Sequence, residues 1–122
     1  MTDILDINLI KKKLQEFATS RRWDKFHSPK NICMALTSEV GELNEIFQWL
    51  TEKESMEIDK SPRKYNMVKE ELADVILYSI LISLKLEINI EEAVFDKISK
   101  NSHKYPVNLV KGSSKKYNEY NT

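Results

Sequence analysis

The chain has 122 residues, a length that fits one domain with a real hydrophobic core. Apolar residues make up 41% and charged residues 31%, and the formal net charge is zero, so nothing draws the whole surface toward nucleic acid or an anionic membrane. The single cysteine, Cys33, excludes an intrachain disulfide, and no stretch approaches the roughly 20 apolar residues of a membrane span. The opening MTDILDINLIKKK carries charge too early for a signal peptide, which points to the cytoplasm. Only Gly41 and Gly112 supply glycine, and tight-turned sheets generally need more, so the expected class is all-α.

In chain order, the first predicted helix runs from about Asp6 to Ser20, with Ile7, Ile10, Leu14 and Phe17 at helical spacing. RRWDKFH interrupts it. Ser28 and Pro29 then read as an N-cap followed by proline at the first helical position, opening a second helix to about Leu50. TEKESMEIDK reads as a polar loop. Ser61 and Pro62 repeat the start signal for a third helix reaching about Leu86. Asn89 caps a fourth, with Glu91 and Glu92 favourable in its first turn. That helix ends near Lys104, because Pro106 disfavours helix at Tyr105. Residues 1–105 therefore read as one four-helix domain, and 106–122 as a polar tail expected to be mobile.

The second helix has an apolar stripe of Ile32, Leu36, Val40, Leu43, Phe47 and Leu50. Glu39 lies inside that stripe and Glu42 at its edge, followed by Trp49; Glu45 points to solvent. The third helix is apolar nearly all round from Leu72 to Leu84, which suits a bundle interior or a subunit interface. Glu71, Asp74 and Tyr78 draw a narrow polar line along it. A Glu-x-x-Glu pair alone usually marks a solvated face. Two acid pairs on otherwise apolar strips are different: if the strips face each other, four carboxylates converge. At an effective dielectric of 20, two like charges 4 Å apart repel by about 4 kcal/mol. A divalent cation removes that repulsion, and all-oxygen ligands select a hard ion, Mg²⁺ or Mn²⁺. On the fourth helix, Lys97 and Asn101 interrupt the stripe of Ile90, Val94 and Ile98. They suit a phosphate oxygen and a polar ring edge, although a lysine there also snorkels readily. Trp23, His27, Trp49 and Tyr78 are candidates for an aromatic slot. KGSSKK, at 111–116, could wrap phosphates with lysines and hydroxyls. Cys33 and His103 read as inert.

EVGEL followed by EELADV resembles the Glu-x-x-Glu…Glu-x-x-Asp signature of the MazG-like all-α nucleoside triphosphate pyrophosphohydrolases. RRWDKFHSPKNI, EVGELNEIFQW, EELADVILY, KISKNSHKYP and SSKKY together resemble the dCTP pyrophosphatase branch, over about Leu14 to Tyr117. The resemblance implies a four-helix, MazG-type subunit that assembles as a homodimer or homotetramer. It implies Mg²⁺-dependent cleavage of a nucleoside triphosphate, dCTP or a modified dCTP, to the monophosphate and pyrophosphate. Metal ligands then fall on Glu39, Glu42, Glu71 and Asp74, with Glu39 or Glu42 activating water. Trp23, Trp49 and Tyr78 would take the base, with His27 and Asn101 beside it. Lys97 would contact phosphates, joined by Lys115 and Lys116 of the tail. One position departs: animal members carry a histidine on the first helix where this chain has Leu14. No nucleic-acid or membrane partner is expected.

Two other classes bear on the same residues. A helical module for nucleotide or protein binding would keep its acid strips in solvent and show no metal dependence. A di-iron carboxylate bundle needs Glu-x-x-His on two helices, and neither His27 nor His103 has a glutamate at that spacing.

Overall fold

The computed structural model of the chain describes residues 2–112. They are helical, with no strand among them, as the glycine-poor composition implies. The long helices are α1 (Ile7–Ser20), α2 (Pro29–Phe47), α4 (Pro62–Lys85) and α5 (Ile90–Lys104), and the short ones α3 (Glu52–Met56) and α6 (Val107–Val110). Single 3₁₀ turns occupy Asp24–Phe26 and Ile58–Lys60. The chain divides into two compact units, Met1–Ile88 and Asn89–Thr122.

Each long helix starts where its cap residue dictates. Asp6, Ser28, Ser61 and Asn89 accept from the backbone N–H three residues on, in Leu9, Asn31, Lys64 and Glu92. Pro29 and Pro62 open their helices without wasting a donor. The stretch expected to be a plain loop holds α3, because Thr51 and Glu54 form a capping box: Glu54 N–H donates to Thr51 Oγ1 at 3.1 Å and Thr51 N–H to Glu54 Oε1 at 2.9 Å. The stretch expected to be a tail begins with α6, over Val107–Val110.

Helix α1 ends in a Schellman motif without glycine, and α4 ends with the longer of that motif's two bonds. After α1, Trp23 N–H donates to Ala18 O at 2.9 Å and Arg22 N–H to Thr19 O at 3.1 Å, with Arg22 at φ 55°. After α4, Ile88 N–H donates to Ser83 O at 2.8 Å across Glu87, at φ 54°. Side chains are seldom tolerated in this left-handed region. Lys11 of α1 further ties down the second end, donating from Nζ to Ile88 O at 3.3 Å.

Within the first unit α4 is central, packing along α2 and against α1. Ala18 of α1, Ile32 of α2, and Ile80 and Leu81 of α4 are buried, as is Ser83, whose hydroxyl donates to Ile80 O at 2.6 Å. The third predicted helix is thus enclosed toward its C-terminal end. Its earlier turns keep Leu72 at 47% and Ile76 at 39% exposure. No helix among the described residues is long and apolar enough to cross a membrane.

Candidate metal site and adjoining cavity

Where α2 and α4 run together, the acids meet. Glu39 and Glu42 from α2 and Glu71 from α4 bring carboxylate oxygens within 4.8 Å of one another. Glu39 Oε2 and Glu71 Oε2 are buried, and neither has a hydrogen-bond donor among the described residues. Carboxylate oxygens shut off from water in this way favour a proton or a cation. Glu71 is pushed up to about 7, first because a hydrogen bond with Glu39 favours its protonated form, then by lost hydration and the charge of Glu42. The same hydrogen bond favours the charged form of Glu39. Desolvation and the charges of Glu42 and Asp74 outweigh it, so Glu39 is raised as well. Asp74 lies one turn beyond Glu71 on α4, and its charge is felt at Glu39 and at Tyr78. The donors are oxygens only, so the cluster is suited to a hard divalent cation.

Beside the acids opens a cavity of about 460 Å³. Ile10, Lys13, Leu14 and Phe17 line it from α1; Asp74, Leu77, Tyr78 and Leu81 line it from α4. Trp23 and His27, from the connector between α1 and α2, complete the wall. The indole of Trp23 meets Phe17 edge-on, with centroids 5.6 Å apart, and the Arg21 guanidinium caps the other reach of Phe17 at 3.6 Å. Most of the lining is apolar or aromatic. The polar exceptions are the Lys13 ammonium, the Asp74 carboxylate, the Tyr78 hydroxyl and His27, whose Nδ1 is buried without a hydrogen-bond partner among the described residues. Burial, followed by the charges of Glu39, Asp74 and Glu42, raises Tyr78 above the usual phenol range. Asp74 therefore belongs to both the cavity wall and the field of the acid cluster.

Of the residues singled out in the sequence, Glu39, Glu42 and Glu71 cluster, while Trp23, His27, Asp74 and Tyr78 share the cavity. Trp49 lies on the turn after α2, is 86% exposed and does not line this cavity. Lys97 and Asn101 are exposed on α5, in the second unit. Lys115 and Lys116 lie outside the described residues. Lys13 and Phe17 were not singled out for a site. With Ile10 and Leu14 they complete the helical series 10, 13, 14, 17, and a lysine inside that series was the signal.

A profile of the MazG-like family matches residues 34–120. The chain belongs to the MazG-like family. Relatives include dCTP pyrophosphatase 1 of Homo sapiens, 40% identical over 110 residues, which are 90% of this chain and 65% of that protein. The Bos taurus protein of the same name is 38% identical over the same shares. This chain therefore spans just under two thirds of the length of those relatives. Among solved structures, a pyrophosphatase from Archaeoglobus fulgidus DSM 4304 superposes with a TM-score of 0.77 at 39% identity, covering 87% of this chain and 97% of that one.

Proposed function

We propose that the chain is a nucleoside triphosphate pyrophosphohydrolase, dependent on Mg²⁺ or Mn²⁺, that converts dCTP or a modified dCTP to the monophosphate and pyrophosphate. One observation carries this reading: a cluster of under-satisfied carboxylates borders an aromatic-walled cavity, with Asp74 common to both. The names of the MazG-like relatives and of the Archaeoglobus structure support the same activity.

Glu39, Glu42, Glu71 and Asp74 would hold the cation. Bound there, it would neutralise triphosphate charge and draw electron density from the α-phosphorus. Glu39 or Glu42 would orient the attacking water and accept its proton. The upward shift of Glu39, and of Glu71 to about 7, fits groups that take up protons. Trp23 and Tyr78 would flank the base, and the unpartnered His27 Nδ1 would meet its polar edge. Lys97, Lys115 and Lys116 as phosphate contacts, and Asn101 as a base or sugar contact, rest on the family resemblance alone. Trp49, left bare on the single chain, would be covered on self-association into a dimer or tetramer.

The test is product identity. Purified protein is incubated with Mg²⁺ and each common or modified deoxynucleoside triphosphate in turn. Monophosphate plus pyrophosphate is expected; diphosphate plus orthophosphate, or no turnover with either Mg²⁺ or Mn²⁺, would rule the reaction out.

A further inference from the structure

Two of the cavity's walls are helices; the third is the connector 21–28, which has little regular structure to hold it. Trp23 and His27 stand at either end of its 3₁₀ turn. The turn's internal backbone bonds, Phe26 N–H to Trp23 O at 2.8 Å and His27 N–H to Asp24 O at 3.1 Å, fix its shape, and the bond from Trp23 N–H to Ala18 O at 2.9 Å places only the backbone of its first residue. On the α2 side, Asn31 donates from Nδ2 to Phe26 O at 3.0 Å. On the cavity side, the anchor is Asp24. Its Oδ1 accepts from Gln15 Nε2 at 3.1 Å and from Lys85 Nζ at 3.4 Å; its Oδ2 accepts from Thr19 Oγ1 at 3.3 Å. Gln15 also donates to Thr19 Oγ1 at 3.0 Å, closing the network on α1. One carboxylate thus pins the connector to α1 and, across 61 positions of sequence, to the last turn of α4. Both of those helices supply the rest of the cavity.

We propose, building on the nucleotide reading of the cavity, that Asp24 is a positioning residue for substrate binding: it sets where Trp23 and His27 stand and so how well the cavity grips a base. Asp24 does not line the cavity. Its effect is on binding and orientation, separate from the acid cluster. The hydrogen bond from Gln15, with those from Lys85 and Thr19, holds its carboxyl below the usual carboxylate range.

The test compares Asp24→Ala, Asp24→Asn and Lys85→Met in the full chain. Asp24→Ala should raise KM for the preferred triphosphate about tenfold with kcat within about twofold, because a displaced wall loosens ground-state binding. Mn²⁺ affinity should not change. Asp24→Asn, which keeps an acceptor, and Lys85→Met, which removes one donor, should shift KM the same way by less. In a Trp49→Phe background Trp23 is the only tryptophan; Asp24→Ala should shift its emission to the red and make it easier to quench with acrylamide. A lowered melting temperature with KM and Trp23 emission unchanged would reduce Asp24 to a stability residue and overturn the assignment. So would kcat falling as far as kcat/KM. If Asp24→Ala does not fold, the other two variants decide. If the unaltered chain hydrolyses no nucleoside triphosphate, the catalytic reading fails, and the Trp23 emission still answers whether Asp24 places the wall.

Discussion

Glu71 sits at the balance between folding and ion binding. Its carboxyl is pushed up from 4.5 to about 7, so the folded, metal-free protein binds a proton there that the unfolded chain has already released. The stability contributed by that proton is present below about pH 4.5 and lost as pH rises toward 7. The melting temperature of chelator-treated protein should therefore decline across that window, and Mg²⁺ should raise it more at pH 7.5 than at pH 5.5. Equal stabilisation at both pH values would contradict the coupling. Glu71→Gln imitates the protonated form. It should hold or raise the metal-free melting temperature at pH 7.5 while lowering divalent affinity and turnover by about a hundredfold or more. Glu39 and Glu71 were legible as candidates because each breaks an apolar strip. Their meeting was not, since it depends on how two helices are set against each other.

Among the elements, the helix starts were the easiest to read. Ser28-Pro29 and Ser61-Pro62 state a cap and a first turn in two letters, and the structure begins α2 and α4 there. Thr51 and Glu54 spell an equally good capping box, hidden because the residues around it are polar and α3 has only five residues. The ends of α1, α4 and α5 fell within a residue of their expected places, but how the first two are made was hidden: Arg22 and Glu87 occupy left-handed positions where glycine would be usual. Glu87→Gly should stabilise the fold by about 0.5 to 1 kcal/mol in urea unfolding, the relief of a strained φ less the added freedom of the unfolded chain. Gly41 presents the reverse case. It lies within α2, and a methyl group there would meet nothing within 4 Å. Gly41→Ala should add about 1 kcal/mol of helix preference to the isolated subunit. If the exposed side of α2 packs against a second copy, the same variant should weaken association.

For the whole molecule, what stays uncovered says most. Val40 on α2, Leu72 and Ile76 on α4, Trp49 on the turn after α2 and Met56 on α3 are all exposed. So much bare apolar side chain on one chain fits a subunit better than a solitary protein. Sedimentation equilibrium should give a mass of two or four chains, and Leu72→Lys with Ile76→Lys should move it toward one. A single-chain mass at every concentration would count against assembly. The uniformly apolar run from Leu72 to Leu84 gave notice of an interior or an interface. Which stretch was which could not be read from it, because a helix pattern records that a side is apolar and not what comes to cover it.

The cavity owes one of its walls to a connector and two to helices, while every clustered acid stands on α2 or α4. Helix α4 serves both cavity and cluster, whereas the connector is a wall that carries none of the clustered acids. On the proposed reading, drift within residues 21–28 would retune which ring is admitted while the acids of α2 and α4 stay in place. MazG-like proteins that keep the same four carboxylates but vary in this short span should diverge in diet before they diverge in chemistry.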